Sequence, residues 1–445
     1  MYQALMSNMG PIRRSVLKLA LPVTVSSLLQ RTEGILSIFL VGGLGASAIA
    51  AVGIGQLIVF IASTILTGLG AGTTVVIAQL WGARRTHDAG EAATHAIGVA
   101  LLSAALLTLI GWFGTRPLMQ VLGVAEDVLA VAGPYLDIVF VLFPITILLQ
   151  LQVAILHGTG DTRTPMIAMI GVNLCFLTAA YPLIYGLAGL PALGINGAAW
   201  GVGIAETLGN VVLFARSRTI FARSNQLRKD LLGSMWEVGM PVFVERSFHH
   251  AGSLLFAKVI LVYGTVAYAA HQVGLSIEAF SFMPGYGFAI AASTMVGQSI
   301  GAGKYSRAKL ENWETNRQAA IVMAGMGLLF FFFPYALLRL FTTDEAVIEL
   351  GTLFLKIAAV AQLPLALTMV VGGSLRGAGD TRYILTVTLA GMWAVRLPLA
   401  FAAAYWWKLG LAYVWCAMAA DWFMRMSLLL IRYQSERWRE IQVIR

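Results

Sequence analysis

Apolar stretches, each long enough to cross a bilayer as a helix, follow one another along the chain, separated by charged residues or glycine-rich turns. A spanning helix needs about 20 mostly apolar residues. A membrane barrel would instead show strands of about 10 residues with alternating polarity, and the sequence lacks that alternation. The pattern predicts an all-α integral membrane protein with twelve transmembrane helices, near residues 15–43, 49–78, 91–114, 127–153, 164–186, 193–215, 231–262, 267–298, 312–336, 346–371, 383–405 and 410–432.

The composition agrees with this prediction and excludes a soluble protein. Hydrophobic residues make up 58% of the 445 positions and charged residues only 11%, whereas soluble domains carry about 25% charged residues. Cys175 and Cys416 both lie inside apolar stretches, so we expect neither a disulfide framework nor a metal cluster. Residues 1–10 hold no cleavage site of small residues, so we expect the first helix to stay in the membrane as an anchor.

The net charge of +9 is distributed unevenly over the loops. Twenty basic residues fall on one side of the predicted membrane, and only Arg116, Arg339 and Lys408 fall on the other. Such a bias marks the cytoplasmic side, so both termini are predicted in the cytoplasm and the protein in the inner (plasma) membrane. The basic excess thus reflects topology, and we expect contact with the lipid bilayer and none with nucleic acid.

The sequence repeats itself at a constant offset of about 219 residues. Pro22 falls on Pro241, Gly68 falls on Gly287, and the motif beginning at Gly158 falls on the one beginning at Gly377. Six helices per repeat predict two parallel six-helix bundles, related by a pseudo-twofold axis along the membrane normal. The predicted domains are an amino-terminal lobe (1–215), a cytoplasmic linker (216–230), a carboxyl-terminal lobe (231–432) and a basic cytoplasmic tail (433–445). This architecture fits a carrier with alternating access, although a channel or a rigid scaffold stays open.

Three segments of the second repeat carry a family resemblance. Residues 264–272 (GTVAYAAHQ), 298–303 (QSIGAG) and 375–382 (LRGAGDTR) resemble the MATE (multidrug and toxic compound extrusion) transporters, and the likeness extends over nearly the whole chain. The resemblance implies a V-shaped pair of bundles that exports small organic compounds, often cationic, in exchange for protons or sodium ions.

The sequence departs from the DinF-like branch of that family at three positions. In the first helix, that branch has an Asp where this chain has Ser37. In the fifth helix, the branch has an Asn and an Asp where this chain has Phe176 and Ala180. The proton site of that branch is therefore missing from the first lobe, unless Glu33, one turn before Ser37, replaces it.

Ionisable residues inside a membrane usually face a partner or a wet cavity, because an exposed charge there is costly. The acidic candidates are Glu33, Asp137, Glu206, Glu245, Glu278 and Asp421. We expect Glu245 and Glu278, near the midpoints of consecutive helices, to form the ion-coupling centre, supported by His249, His271 and Arg396. The carboxylates could share a proton or hold a sodium ion. In the alternative, Glu245 is a structural partner of Arg246, His249 or Arg396, and Glu206 makes only a packing hydrogen bond.

Apolar and adaptable side chains surround Pro284 in the eighth helix. Phe280, Phe282, Met283 and Tyr286 would suit the wall of a substrate cavity, although lipid contact is the alternative. Arg425 is expected to extend towards the membrane surface, or to pair with Asp421 one turn away. The tail is expected to form an interfacial helix against anionic headgroups.

Enzyme functions have little support, because no nucleotide-binding loop, metal-ligand spacing or nucleophile motif occurs. We therefore expect a transporter that uses no cofactor and acts as a monomer. A flippase for a lipid or lipid-linked precursor is the main alternative, and a scaffold without transport is the third.

Overall fold

The computed structural model of the protein describes residues 2–121, 126–187, 189–221 and 228–444, so residues 222–227 of the predicted linker and the last residue of the tail lie outside it. The prediction of twelve long helices is confirmed within these ranges. The helices are α1 (Tyr2–Val41), α2 (Ala46–Gly82), α3 (Thr86–Val121), α4 (Glu126–Thr159), α5 (Arg163–Tyr185), α6 (Ile195–Ser217), α7 (Lys229–Leu261), α8 (Thr265–Gly301), α9 (Tyr305–Phe332), the short α10 (Pro334–Arg339), α11 (Glu345–Gly377), α12 (Thr381–Trp406) and α13 (Leu411–Gln434).

Nine of the described helical segments are long and apolar enough to cross a membrane. Helices α1, α7 and α9 carry more charged residues than the rest, as Glu245, Arg246 and Lys258 illustrate in α7. The protein is a multi-pass membrane protein.

One apolar run is divided where the sequence predicted a continuous helix. The span predicted at 312–336 is divided, because α9 ends at Phe332 and α10 begins at Pro334. Proline has no backbone N–H and disfavours helical geometry in the residue before it, here Phe333. Pro334 itself fits the first turn of the short helix that follows.

The described contacts divide the chain into two compact units. The first unit, residues 25–239, has a core of α2, α4, α5 and α6 that includes Leu136 and Phe176. The second unit joins residues 1–24 to residues 240–445, and its core includes Phe354 and Trp415. The lobes that the repeat predicts, 1–215 and 231–432, stay a prediction.

Helices α1 and α7 both change unit within one turn of a repeated proline, Pro22 in α1 and Pro241 in α7. Close packing holds the start of α7 in the first unit, because a Cβ atom on Gly239 would lie 2.5 Å from the carbonyl oxygen of Gly68. Close packing also holds the start of α1 in the second unit, where a Cβ atom on Gly287 would lie 2.7 Å from the carbonyl oxygen of Ala20. Since the two contacts join equivalent repeat positions, the duplication repeats a packing arrangement as well as a sequence.

The tail does not form the expected interfacial helix. Beyond the end of α13, the described tail residues contain a 3₁₀ turn at Arg437–Glu440, in which Trp438 is 1% exposed. The Trp438 ring stacks on Tyr433 at 5.3 Å between centroids, and its indole N–H donates to the carbonyl oxygen of Tyr433. Glu436 forms ion pairs with Lys309 of α9 and with Arg439. The tail therefore packs against the rest of the second unit through Trp438. The prediction had placed the tail against lipid headgroups.

Candidate functional site

Glu245 lies in the middle of α7 and forms an ion pair with a residue that the sequence interpretation did not consider. Its Oε2 accepts a hydrogen bond of 3.0 Å from Arg376 in the last turn of α11, and its Oε1 accepts one of 3.3 Å from Thr388 of α12. The expected partners Arg246, His249 and Arg396 do not form an ion pair with it among the described residues. Glu245 thus connects three helices of the second unit.

Glu278 is buried in α8, and the guanidinium group of Arg396 is its electrostatic neighbour. His271, two turns earlier, is also buried, and its ring packs edge-on against Phe256 and Phe354, with centroid distances of 5.9 and 5.5 Å. Nδ1 of His271 has no hydrogen-bond partner in the described part of the chain. Glu278 therefore lies in an interior where the nearby charge is that of an arginine.

Glu245 and Glu278 have different neighbours in the second unit. Glu245 accepts a hydrogen bond from Thr388 of α12, while Glu278 interacts electrostatically with Arg396 of the same helix. The single coupling centre that the sequence suggested for these two acids stays a prediction.

Asp421 of α13 is fully buried between two arginines. Arg425 donates to it from Nε at 2.5 Å and from Nη2 at 2.8 Å, as the spacing of one helical turn suggested. Nη2 of Arg396 lies 2.8 Å from Oδ2 of Asp421, the oxygen that also accepts from Nη2 of Arg425, and forms an ion pair with it without hydrogen-bond geometry. Both guanidinium groups lie over the Trp422 ring, 5.4 and 5.1 Å from its centroid. The expectation that Arg425 extends to the membrane surface is wrong, because this carboxylate holds it inside.

The backbone of α12 adapts to this cluster. Its segment Ala390–Arg396 is a π-helix, a rare conformation that is frequent at functional sites. Gly391 lies within it, and a Cβ atom there would approach Oδ1 of Asp421 to 2.0 Å and Nε of Arg425 to 2.5 Å. In the sequence, the cluster was indicated by an Asp and two Arg within apolar helices. The sequence did not indicate that Gly391 leaves the space for these side chains.

His249 completes the supporting set from α7. It lies within electrostatic range of Arg396 and Arg425. The structure thus brings together Glu278, His271, Arg396 and His249 around the Asp421 cluster, and it places Glu245 on a separate ion pair.

The first unit holds a second group of acids. Glu206 of α6 is buried, its Oε2 accepts a hydrogen bond from the hydroxyl of Thr146 in α4, and its electrostatic neighbour is Glu33 of α1. The expected hydrogen bonding of Glu206 is therefore observed. At the positions of the missing branch motif, Ser37, Phe176 and Ala180 are all buried.

The four residues proposed for the substrate cavity differ in exposure. Phe280 is 52% exposed, whereas Phe282 packs inside the second unit against Met323 and Leu365. Met283 and Tyr286 are half-buried. Side chains of α8 therefore face both the outside and the interior of this unit, and the role of these residues as a cavity wall stays a prediction.

Sequence reasoning missed a polar face on α9. Its buried residues include Glu311, Asn312, Glu314, Asn316 and Gln318. Asn312 accepts a hydrogen bond from Ser374 of α11, and Gln318 donates one to the backbone of Arg13 in α1. The aligned positions of α3 in the first repeat are Ala92, Ala93, His95, Ile97 and Val99. A comparison of the repeats position by position would have revealed this difference.

Comparisons with known proteins agree with this architecture. The sequence pattern of the MatE family matches residues 22–181 and 241–402, one segment in each repeat. A probable multidrug resistance protein NorM of Thermotoga maritima is 30% identical, over 97% of this chain and 94% of that protein. The multidrug resistance protein PmpM of Pseudomonas aeruginosa is 27% identical over 87% of this chain and 83% of its own length.

A solved structure shares the fold. The Vibrio cholerae MATE transporter VcmN in its bent form superposes with a TM-score of 0.90 at 20% sequence identity, over 96% of this chain and 98% of that one. The two matched segments together make up more than half of the sequence, and the Thermotoga maritima relative is similar over 94% of its length. The chain therefore belongs to the MatE family, that of the multidrug and toxic compound extrusion transporters.

Proposed function

We propose that the protein is a secondary active efflux transporter, which exports organic cations or amphipathic compounds in exchange for protons or sodium ions. Its place would be the plasma membrane, with both termini in the cytoplasm, as the distribution of basic loop residues indicates. Relatives over nearly the whole chain bear the name of multidrug resistance proteins, which supports export of several compounds.

The burial of Glu278 beside Arg396 carries this proposal. A carboxylate inside a membrane protein is costly, so its presence there favours a functional role. Arg396 also forms the ion pair with Asp421, and the two acids therefore compete for one guanidinium group. A cation that binds to Glu278 weakens the attraction between Glu278 and Arg396. Arg396 then interacts mainly with Asp421.

This competition offers a route from ion binding to a change of shape. Arg396 ends the π-helical segment of α12, whose hydrogen bonding is less regular than that of an α-helix. A shift of Arg396 towards Asp421 would alter the segment that carries it. In such a transporter the ion and the substrate each favour one of two conformations, which couples their movements.

Glu245 is the second acid of the proposed coupling system. Its pair with Arg376 joins α7 to α11, and a proton on Glu245 would remove the charge that holds this pair. We propose that Glu245 acts through its pair with Arg376, and Glu278 through Arg396. Sodium could replace the proton at either carboxylate, because hard cations prefer oxygen ligands.

The test is the efflux of a cationic dye, ethidium, from proteoliposomes under separately imposed proton and sodium gradients. Native protein is expected to respond to one of the gradients. Glu278→Gln is expected to fold and to lose gradient-driven efflux at least tenfold, whereas Glu349→Gln, an exposed acid of α11, is expected to retain it. If neither gradient drives efflux in the native protein, the proposal fails, and the flippase and scaffold alternatives replace it. If Glu278→Gln transports as well as native protein, the coupling role of Glu278 is wrong.

A further inference from the structure

The start of α1 and the first half of α9 lie side by side in the second unit. Val16 and Ala20 of α1 belong to the same buried cluster as Ala319 of α9. The side-chain amide of Gln318 donates a hydrogen bond of 3.3 Å to the backbone oxygen of Arg13. Arg13 therefore lies at the same height as Gln318, at a seam between the two helices.

A chain of hydrogen bonds holds a second arginine at this seam. Gln318 also donates to Oε1 of Glu314 at 2.8 Å, and the same oxygen accepts a hydrogen bond of 2.9 Å from Nη2 of Arg317. The side chain of Glu314 is 1% exposed, whereas that of Arg317 is 43% exposed. The buried carboxylate therefore fixes one end of the Arg317 guanidinium group and leaves the rest of the group accessible.

The positive charge at the start of α1 is not compensated by an acid on the same part of that helix. Arg13 and Arg14 are both exposed. The first acidic residue of the chain is Glu33, which belongs to the other unit. On α9, the carboxylate of Glu314 is already paired with Arg317. The seam between α1 and α9 therefore carries a surplus of positive charge.

Exposed apolar side chains follow the arginines on both helices. On α1, Leu17 and Leu21 follow Arg13 at intervals of one turn, and they are 45% and 62% exposed. On α9, Ile321 follows Arg317 by one turn and is 65% exposed. Residues four positions apart lie on the same face of a helix. Each helix therefore presents a basic group and, deeper in the membrane, an apolar track on the same face.

The exposed indole of Trp313 indicates the height of this surface in the membrane. Trp313 precedes Arg317 by one turn of α9 and is 63% exposed. Tryptophan is enriched where lipid headgroups meet the hydrocarbon layer. The guanidinium groups are therefore at the height of the headgroups, where phosphate is the acceptor that arginine binds best, and the apolar tracks are at the height of the acyl chains.

The first unit lacks this surface, although the repeat gives it the equivalent helices α7 and α3. At the positions aligned with the two arginines of α1 and with Trp313 and Arg317, the first unit has uncharged residues, which are Leu232, Gly233, Thr94 and Gly98. A general excess of basic residues on one side of the membrane would affect both repeats alike. The basic surface between α1 and α9 is therefore a specific feature of the second unit.

We propose that the seam between α1 and α9 binds a phospholipid with an anionic headgroup, in the leaflet on the side of the amino terminus. Arg13, Arg14 and Arg317 hold the headgroup, and the acyl chains lie along the apolar tracks of the two helices. Basic pockets between membrane helices recognise anionic headgroups in this way. The predicted topology makes this the cytoplasmic leaflet, and the binding of the lipid does not depend on the proposed function.

Native mass spectrometry of the whole chain in detergent, with added lipid, tests this site. Phosphatidylglycerol is expected to bind, and phosphatidylcholine, which carries no net charge, is expected to bind about fivefold less. Arg13→Gln with Arg317→Gln is expected to lower the binding of phosphatidylglycerol about tenfold, because each arginine near a headgroup adds to the attraction. Arg163→Gln with Arg382→Gln, the matched control, removes two exposed arginines from the same side of the membrane and is expected to retain binding.

A second variant keeps the test decisive if the loss of Arg317 destabilises the protein by leaving Glu314 buried without its partner. Arg13→Gln with Arg14→Gln changes only exposed residues of α1 and preserves the ion pair of α9. This variant is expected to fold and to bind phosphatidylglycerol about tenfold less than the native protein does. Unchanged binding in both variants would overturn the site.

The other outcomes are equally distinct. Equal binding of the two lipids by the native protein would overturn the recognition of an anionic headgroup. An equal loss in the variant of Arg163 and Arg382 would show that the whole basic surface attracts the lipid, and would overturn a site at the seam. Displacement of phosphatidylglycerol by inorganic phosphate would overturn the lipid in favour of free phosphate. Because none of these measurements involves transport, failure of the proposed efflux function and failure of this site can be told apart.

Discussion

Arg376 and Glu245 form a hydrogen-bonded ion pair of 3.0 Å that joins the end of α11 to the middle of α7. Both side chains are largely buried, with exposed fractions of 20% and 14%. Removing one partner of a buried pair leaves the other charge uncompensated, which is more costly than removing both. Arg376→Gln and Glu245→Gln should therefore each destabilise the protein, and the double variant should be more stable than the sum of the two effects predicts.

A double-mutant cycle on thermal unfolding in detergent measures this interaction, and we expect a coupling free energy of about 2 kcal/mol. The matched pair Arg339 and Glu345 forms a contact of 3.3 Å with both side chains exposed, so its coupling should stay below about 1 kcal/mol. Strictly additive effects of Arg376→Gln and Glu245→Gln would show that the buried pair does not stabilise the fold.

Asp421→Asn is predicted to destabilise the protein more than Arg376→Gln or Glu245→Gln does. The Asp421 carboxylate compensates both Arg396 and Arg425 in the interior of the second unit, and the amide of Asn would leave two buried guanidinium groups without it. We expect a loss of about 3 kcal/mol or more, measured by the unfolding temperature in detergent. Asp421→Asn with Arg425→Met should recover part of the loss, because one unpaired charge is removed. No recovery would mean that Arg425 is stabilised by other groups.

The sequence was sufficient for the architecture. Apolar runs and the repeat predict the number of helices, since each spanning helix must satisfy its own backbone in lipid. The i, i+4 spacing also predicts the pair of Asp421 with Arg425, because such residues share a helix face.

Partners on different helices could not be predicted in the same way. Glu245 was assigned to Arg246, His249 or Arg396, but its partner is Arg376, 131 positions away. Its contact depends on how α7, α11 and α12 pack, which the sequence pattern does not specify. The relation between Glu33 and Glu206 was missed for the same reason, since each looked like an isolated acid within an apolar helix.

Two glycines of α7 should respond to the same substitution with opposite signs. Alanine stabilises a helix interior relative to glycine by about 0.5–1 kcal/mol when space allows. Gly233 has no atom within 4 Å of its Cβ position, so Gly233→Ala should be neutral or stabilising. At Gly239 the new methyl group would lie 2.5 Å from the backbone oxygen of Gly68, so Gly239→Ala should lower the unfolding temperature. Equal responses would show that α7 approaches α2 less closely than the structure indicates.

The packing of Trp438, which holds the tail, can be tested by comparing its substitution with that of an exposed tryptophan. Trp438 is 1% exposed, whereas Trp406 at the end of α12 is 80% exposed. Replacing a buried tryptophan by alanine costs about 3–5 kcal/mol when the site cannot collapse. Trp438→Ala should therefore release the tail and increase hydrogen exchange at the start of α9, where Tyr305 packs against the indole. Trp406→Ala should leave that exchange unchanged, and similar effects of the two variants would contradict the docking of the tail.

The start of α7 should loosen in acid, because Arg228 binds Asp230 there. The Arg228 guanidinium donates to both carboxylate oxygens, at 3.0 and 2.8 Å, and lowers the pKa of Asp230 from 3.8 to about 2. A carboxyl group whose pKa is lower in the folded than in the unfolded state stabilises the fold above the unfolded pKa. That stabilisation is complete above about pH 4 and is lost as the pH falls through about 2.

Hydrogen exchange at residues 229–239 can isolate this contribution by comparing native protein with Asp230→Asn. The native protein should exchange more slowly above pH 4, and the difference should shrink as the pH falls through about 2, because Asp230 becomes protonated and then resembles the amide. Arg228 also binds Glu91 at 2.8 Å, so Arg228→Gln should loosen the same segment more than Asp230→Asn does. A difference between native protein and Asp230→Asn that stayed constant from pH 5 to pH 2 would show that the carboxylate does not act through its charge, since only a titrating group can make the stabilisation depend on pH.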